Sequence, residues 1–337
     1  MDDLRKGQAP GWPPRQGWVS APKLVLLTLL GLVSSPFGWP ALGWAGEPER
    51  RGTLTKAGDQ LVMCPRNSRE GPVVAMFPEA GRFRRAISQA GAAAARGGGG
   101  PVTGLIVPHH LLAVDLIARG FQAVAGNRFR RIVVLCPDHF RRSRTPFAVG
   151  LRDFSSCLGP VPTDVRAVRW LAAHSLVSVS NLFSHEHAVQ ALLPFLAHHF
   201  PGTPVVCVAI RATAGPAEWE RLARLLGPLC GPGTLVVQST DFSHGLPAAA
   251  AAAHDREAAA AVLSGDPARA AGLHQPRHID CRGALYLQMR LQAARGAVPT
   301  IIAAGNAQQY APPPLADVTS YLVAAFRVPE PSPVTGR

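Results

Sequence analysis

The sequence predicts an α/β protein in which helix layers cover both faces of a mostly parallel central sheet. Apolar runs of about six residues recur along the chain, and most of them are hydrophobic at consecutive positions. Such runs are typical of strands that are buried beneath helices on both faces. Amphipathic helical patterns separate the runs, and this alternation of strand and helix favours a three-layer α/β/α sandwich.

The elements follow one another in a regular order. The predicted strands are VTGLIV (102–107), RIVVLC (131–136), PVVCVAI (204–210), TLVVQS (234–239), PTIIAA (299–304) and VTSYLVAAF (318–326). The predicted helices lie at residues 111–124, 163–173, 188–199, 216–229, 247–263 and 282–295. Because the sequence contains no internal repeat, a single α/β domain over residues 71–328 is the simplest prediction.

The flanking segments predict an exported or membrane-anchored protein. Within residues 1–45, basic residues precede the apolar run LVLLTLLGLV, and the small residues Gly43 and Ala45 follow it. This order is typical of a secretory signal that is cleaved after Ala45; left uncleaved, the segment would be an N-terminal membrane anchor. A misassigned start codon is the alternative, and it would make the protein cytoplasmic. Residues 46–70 have the composition of a linker, and residues 329–337 that of a disordered tail.

Charge and cysteine content exclude two other classes of protein. The formal net charge is +13, but the arginines are scattered and form no basic stripe with interleaved aromatic residues. The sequence therefore does not predict a nucleic-acid-binding protein. The six cysteines show no dense, regular spacing, so they do not predict a disulfide scaffold.

Three of the predicted strands are followed directly by histidines. The histidines are His109 and His110 after the first strand, His139 after the second and His244 after the fourth. The last two are accompanied by the acidic residues Asp138 and Asp241. In open α/β sheets, ligands bind outside the carboxyl ends of the strands, so we expect these side chains to share one site. Imidazoles that converge with carboxylates or thiolates suit a divalent transition metal such as iron, zinc or copper.

Two further segments are candidates for the same site. Cys281 opens the predicted helix 282–295, and a helix N-terminus lowers the pKa of a thiol and so favours the metal-binding thiolate. The alternative is an ordinary cysteine at a helix start. Glu186 and His187 precede the apolar segment LLPFL. They are expected either to line the pocket or to form the polar first turn of a helix.

The order and spacing of these motifs resemble the Memo family, which is also called the B component of the AmmeMemoRadiSam system. The likeness extends over about residues 71–326. It is carried by IVPHH, LCPDH, CLGPVPTD, EHAVQALLPFL, QSTDFSHG, DCRGAL and VTSYLVAAF. The resemblance implies a fold similar to class III extradiol dioxygenases. It also implies a metal site formed by His109, His139 and Cys281, with iron as the first expectation and copper or zinc as alternatives.

The resemblance also implies roles for the neighbouring residues. Asp241 and His244 would lie beside the metal as acid–base groups, while Glu186 and His187 would flank the pocket together with Asp138. The chain departs from the family pattern in several places. His110 occupies a position where the family has a small residue, the tyrosines that follow there are missing, and Arg282 replaces a glycine.

Three functions are compatible with these observations. The first is a non-haem iron redox enzyme that acts on an unidentified small molecule. The second is a protein that binds iron or copper, or a protein partner, without turnover. The third is a zinc hydrolase, in which the metal would activate a water molecule. The family name suggests the other AmmeMemoRadiSam components as partners, although an exported copy would be separated from a cytoplasmic partner. Contact with a membrane is expected only through the uncleaved N-terminal segment.

Overall fold

The computed structural model describes residues 71–92, 100–311 and 315–330. These ranges belong to one compact unit. The predicted signal or anchor, the linker and all but the first two residues of the tail lie outside the described residues. In the ranges that are described, no helix combines the length and the apolar character needed to cross a membrane.

Strands and helices alternate through most of the described chain. The strands are β1 (Val102–Val107), β2 (Arg131–Pro137), β3 (Phe147–Val149), β4 (Phe154–Ser156), β5 (Gly159–Val161), β6 (Val177–Val179), β7 (Val205–Ile210), β8 (Thr234–Ser239), β9 (His244–Leu246), β10 (Val298–Asn306) and β11 (Val318–Arg327). The helices are α1 (Ala80–Ala92), α2 (Val114–Val124), α3 (Val165–Ala172), α4 (His187–Gln190), α5 (Leu193–His199), α6 (Pro216–Leu226), α7 (Ala248–Ser264), α8 (Pro267–Ala271) and α9 (Arg282–Ala293).

The described strands form one large mixed sheet and a separate hairpin. The sheet has the order β10-β11-β1-β8-β2-β7-β3-β6, and β9 pairs with β11. Its four central strands, β1, β8, β2 and β7, are mutually parallel. The flanking strands β11 and β3 run antiparallel to their central neighbours. The parallel centre confirms the predicted fold class, and the antiparallel strands are additions at its two sides.

Helices cover both faces of this sheet, as the apolar runs predicted. Because side chains alternate between the faces of a strand, Val134 of β2 packs in one core with Phe121 of α2 and Phe195 of α5. Its neighbour Val133 packs in the opposite core with Trp219 of α6. The rings of Phe121 and Phe195 are stacked with their centroids 5.4 Å apart. A three-layer α/β/α sandwich is therefore the observed architecture.

The six predicted strands are confirmed, with ends that differ by at most two residues from the prediction. The predicted helix 188–199 is wrong in one respect, since it is divided into α4 and α5. Pro194 lies in the first turn of α5, where backbone N–H groups have no partner within the helix, so the N–H that proline lacks is not missed. Proline therefore favours a new helix start at that point. The five three-residue strands β3–β6 and β9 were missed, because three residues are too few to show a hydrophobic period.

The parallel centre of the sheet positions the candidate site. The carboxyl ends of β1, β2 and β8 meet at one edge because these strands are adjacent and run in the same direction. An isolated bridge between Phe242 and Ile279 brings the segment before α9 to the same edge. The amide of Asp280 donates a hydrogen bond of 3.1 Å to the carbonyl of Asp241 across this bridge.

Candidate metal centre

Three histidines from separate elements converge at this edge. Each of three histidines contributes one ring nitrogen to this cluster, and the three nitrogens lie within 4.8 Å of one another. The residues are His109, His139 and His187. The ring of His109 stands edge-on to the other two, with centroid distances of 5.0 Å to His139 and 5.2 Å to His187. The structure thus brings together two of the predicted metal ligands and one residue that was predicted only to line the pocket.

His109 is buried at the end of β1, and its hydrogen bonds fix its tautomer. Its Nδ1 lies 3.2 Å from the hydroxyl oxygen of Ser239. That hydroxyl donates its only proton to the carbonyl of Ala188 at 2.5 Å, so it can only accept a hydrogen bond from His109. The proton of the neutral ring is therefore on Nδ1, and Nε2 has a free lone pair.

His139 is oriented in the same way by a carboxylate. Glu186 is completely buried, and its Oε1 lies 2.7 Å from Nδ1 of His139. The second carboxylate oxygen, Oε2, accepts the backbone amide of His139 at 3.0 Å. Since the carboxylate accepts the Nδ1 proton, Nε2 of His139 is also left with a free lone pair. A carboxylate behind a histidine is a common arrangement at metal sites, where it fixes the ring and raises its basicity.

Two carboxyl groups complete the cluster: Asp241 is buried, and the side chain of Asp280 is 9% exposed. Oδ2 of Asp280 lies 3.4 Å from Nε2 of His109 and 3.9 Å from Nε2 of His139. Oδ2 of Asp241 lies 3.6 Å from Nε2 of His109, while Oδ1 accepts the backbone amide of His109 at 3.1 Å. The cluster therefore has nitrogen and oxygen donors directed toward the same small volume.

The electrostatics of these groups reflect a crowded, buried site. Burial and the neighbouring Asp280 raise the pKa of Asp241 to about 7, and burial raises the pKa of Asp280 to about 6. Burial and the nearby imidazole of His139 hold the pKa of His109 well below its ordinary value. Burial also lowers the pKa of His139, but the hydrogen bond with Glu186 and the negative charges of Glu186, Asp280 and Asp241 together outweigh this, so the net shift is upward.

No arginine or lysine in the described ranges forms an ion pair with Asp241 or Asp280. The ion pairs of these two carboxyl groups are all with histidines. Buried carboxylates without a fixed cation are costly unless a metal or a proton neutralises them. The donor set of two free imidazole nitrogens and a carboxylate oxygen therefore fits a divalent transition metal.

Cys281 is placed differently from the imidazoles. It is the N-cap residue of α9, as predicted, and is only 2% exposed. Its side chain belongs to the apolar core that includes Trp219 and Leu287. The expected lowering of its thiol pKa is wrong: burial and the neighbouring Asp280 raise the pKa, and they outweigh the amides of Gly283 and Ala284, which lower it.

Asp138 does not face the cluster, although it was expected to line the pocket. Its Oδ1 accepts the amide of Arg142 at 3.0 Å and its Oδ2 accepts the amide of Ser143 at 2.8 Å. Both oxygens are therefore used to hold the loop that follows β2. This loop carries His139, so Asp138 acts on the site through the backbone. The expectation that Asp138 itself lines the pocket is therefore corrected.

The remaining predicted residues lie at the outer side of the cluster. His187 is half-buried, and its ring stacks on that of His139 with a centroid distance of 4.2 Å. His244 places Nδ1 2.5 Å from the carbonyl of Phe242, so Nδ1 carries the ring proton and Nε2 faces Asp241 at 4.0 Å. His110 is exposed, but its Nδ1 lies 2.7 Å from the buried hydroxyl of Tyr321.

Sequence reasoning missed Asp280 and Ser239. Asp280 is the first residue of the motif DCRGAL, in which the adjacent Cys281 was the predicted ligand. The only signal in the sequence was an acidic residue directly beside Cys281, the proposed ligand. Ser239 is the last residue of β8, and its role depends on the carbonyl of Ala188, which no sequence pattern reveals.

A second group of potential donors consists of His254, Glu257 and His278. Nδ1 of His278 accepts the backbone amide of His274 at 3.1 Å, so the ring proton is on Nε2. That proton is donated to Oε2 of Glu257 at 2.8 Å. The group therefore links α7 to the segment before α9 by hydrogen bonds. Because Nε2 of His278 carries the ring proton, that nitrogen has no free lone pair for a metal.

Comparisons with known proteins agree with the resemblance seen in the motifs. A MEMO1 family protein of Thermotoga maritima is 27% identical over 212 residues, which cover 61% of this chain and 69% of that protein. A MEMO1 family protein of Thermotoga sp. (strain RQ2) matches with the same identity and coverage. The crystal structure of the uncharacterized protein JW3007 from Escherichia coli K12 superposes with a TM-score of 0.47 at 17% identity, covering 67% of this chain and 100% of that one. The family model described as Memo-like protein matches residues 84–306, well over half of the sequence. The chain therefore belongs to the Memo-like protein family.

Proposed function

We propose that this protein is a metal-dependent oxidoreductase that binds a divalent iron ion at the edge of its sheet and oxidises a small molecule with dioxygen. The observation that carries the proposal is that Nδ1 of His109 and Nδ1 of His139 each lie within hydrogen-bonding distance of a protein acceptor. Each ring gives its Nδ1 proton to a buried protein acceptor, Ser239 or Glu186, and each directs a free Nε2 toward the same volume. Such preorganised imidazoles are the nitrogen ligands that non-haem iron sites use.

When bound, the metal would supply Lewis acidity and a centre at which substrate and dioxygen are held together. The protein's own groups would orient the substrate and move its proton. His244 is suited to the second task, because its Nδ1 proton is held by the carbonyl of Phe242 and its Nε2 is free to accept a proton. Asp241 lies 4.0 Å from that nitrogen and would hold the accepted proton on the imidazole.

The open side of the cluster favours a small substrate. His187 and His244 are both partly exposed, with 36% and 31% of their side-chain surfaces accessible. His109, in contrast, is buried behind them. A substrate would therefore approach past two imidazoles that can hydrogen-bond to hydroxyl or carboxylate oxygens before it reaches the buried nitrogen donors.

The proposal is tested by purifying the protein without oxygen, loading it with Fe(II), and measuring both bound iron and dioxygen consumption with a panel of catechols. We expect about one iron per chain and dioxygen uptake with at least one substrate. A His109→Ala variant should lose both. A His254→Ala variant is the matched control, since it removes an imidazole from the group whose tautomer does not suit a metal.

Two results would contradict the proposal. Protein that binds no metal at His109 and His139 would refute the metal centre itself. Iron-loaded protein that consumes no dioxygen would refute the oxidoreductase and favour a role in metal binding without turnover. Hydrolysis of an ester panel by the zinc-loaded protein would favour the hydrolase instead.

A further inference from the structure

We infer that Asp280, rather than Cys281, completes the metal site with His109 and His139. The ligands would then be two imidazoles and one carboxylate, in place of the two imidazoles and one thiolate that the family resemblance implied. The inference rests on the proposed function only in assuming that a metal binds at these imidazoles. It does not depend on dioxygen chemistry or on turnover.

The distances favour the carboxylate. Oδ2 of Asp280 is 3.4 Å from Nε2 of His109 and 3.9 Å from Nε2 of His139, and both of these nitrogens have free lone pairs. Donors that are each about 2.1 Å from one metal lie roughly 3.0–3.4 Å from one another, depending on the coordination geometry. The two carboxylate–nitrogen distances therefore need to shorten by no more than about half an ångström for the oxygen to share one ion with either nitrogen.

Neighbouring groups hold the Asp280 carboxylate in this orientation. The hydroxyl of Thr240 donates to its Oδ1, and the backbone amide of Asp241 donates to its Oδ2 at 3.0 Å. A carboxylate oxygen has two lone pairs, so Oδ2 keeps one that can bind a metal. Fixing a metal-binding carboxylate with such hydrogen bonds is the usual role of the groups behind a ligand.

Asp241 is less suited to the same position. Its Oδ2 lies near Nε2 of His109, at 3.6 Å, but its other ion-pair partner is His244 and not His139. Asp280 is thus the carboxyl group that lies within 4.0 Å of Nε2 in both His109 and His139. Asp241 lies between this pair and His244, which agrees with the acid–base role proposed for it.

Cys281 is committed to the core on the α6 side of the sheet. It packs in the cluster that contains Trp219, and it is 2% exposed. Among the described residues, no hydrogen bond joins its Sγ to a histidine of the site. Adjacent residues project in different directions, so Asp280 lies beside the imidazoles while Cys281 packs in the core.

The ligand identity determines which metals and substrates the site can accept. A carboxylate is a harder donor than a thiolate and favours iron, manganese or zinc over Cu(I). Two histidines and one carboxylate on one side of a metal leave its other coordination positions open. Where the proposed function also holds, the open side would suit a small molecule that presents two neighbouring oxygen donors.

Cobalt(II) is a suitable probe, because a cobalt–thiolate bond gives an intense near-ultraviolet charge-transfer band that a cobalt–carboxylate bond lacks. We expect the cobalt-loaded wild-type protein to lack this band. The Cys281→Ala variant should bind cobalt within about tenfold of the wild-type Kd, whereas Asp280→Asn should bind it more than about 100-fold more weakly, beyond the usual effect of a residue behind a ligand. Asp266→Asn is the matched control, since that carboxylate also accepts a backbone amide, at 2.9 Å, but at the start of α8.

A second variant keeps the test valid if Asp280→Asn misfolds, because it is expected to gain the cobalt–thiolate band. With Cys281→Ala in the background, the additional change Asp280→Cys should create the thiolate band, because the new sulfur would replace the carboxylate oxygen. A wild-type thiolate band that disappears in Cys281→Ala would overturn the inference and leave the proposed function intact. Wild-type protein that binds no cobalt would overturn both. An absent band with no dioxygen uptake by iron-loaded protein would support the inference while refuting the oxidoreductase.

Discussion

Glu186 should control how tightly the metal binds, although it is not expected to touch it. This fully buried carboxylate accepts the Nδ1 proton of His139 at 2.7 Å, the His139 amide at 3.0 Å and the Ala188 amide at 3.1 Å. A Glu186→Gln substitution keeps the shape but leaves one acceptor oxygen and adds an amide donor. At least one buried donor would then lose its partner, at a cost of about 1–3 kcal/mol in the free energy of unfolding.

The same substitution should weaken metal binding by about 10–100-fold, because His139 loses the carboxylate that orients it. This corresponds to about 1.4–2.7 kcal/mol of binding free energy. The assay is competitive titration of Fe(II) or cobalt against a chelator, with urea unfolding measured in parallel. Glu218→Gln is the control, because Glu218 also accepts a backbone amide, from Gly215 at 2.9 Å, but at the start of α6. A Glu186→Gln protein that binds metal as tightly as the Glu218→Gln protein would refute the reasoning.

Three further substitutions test the hydrogen bonds and core packing of the fold. His278→Ala should lower the free energy of unfolding in urea by about 0.5–1.5 kcal/mol, because the hydrogen bond between its ring and the His274 amide is lost together with the contact to the exposed Glu257. The bound metal per chain should stay constant, and a loss of metal would contradict the tautomer assigned to this group. Phe195→Ala should cost about 3–5 kcal/mol by the same measurement, because its ring fills the core against two other phenylalanines, and a cost below 1 kcal/mol would show that this core can collapse. Gly120→Ala should lower the melting temperature through an overpacking cost of about 1–3 kcal/mol, because the added Cβ would lie 2.5 Å from Cγ1 of Val107 and 3.0 Å from Cγ1 of Val323. An unchanged melting temperature would mean that the two branched side chains can move aside.

The sheet could be predicted from the sequence because its strands are buried on both faces. Runs such as residues 131–136 and 234–239 are apolar at nearly every position, so their signal does not depend on knowing which face is covered. The short strands beside them carry no such signal. Residues 147–149, for example, pair with β7 only because the chain returns there, and a three-residue stretch has no period to detect.

Only those site residues that directly follow a buried strand could be predicted from the sequence. His109 and His139 follow buried strands directly, and the geometry of a parallel sheet requires such residues to meet at one edge. The orientation of side chains next to a helix start is not fixed by that rule. Asp280 and Cys281 are adjacent in sequence, and only the bridge between Phe242 and Ile279 determines which of them faces the imidazoles.

Asp138 shows the same limit in a different way. An acid beside a histidine at a strand end is typical of a pocket, but it is equally typical of a loop in which the carboxylate accepts amides a few residues later. The choice depends on the path of residues 139–143. That path is set by Arg141, whose φ of 54° turns the chain back toward the carboxylate.

The most direct test of the account is a crystal structure of the protein loaded with Fe(II) without oxygen, with anomalous diffraction measured at the iron edge. The account predicts one strong anomalous peak about 2.0–2.3 Å from Nε2 of His109, Nε2 of His139 and a carboxylate oxygen of Asp280. Cys281 should remain in the apolar core against Trp219. A peak bonded to the sulfur of Cys281, or no peak between the two histidines, would contradict it.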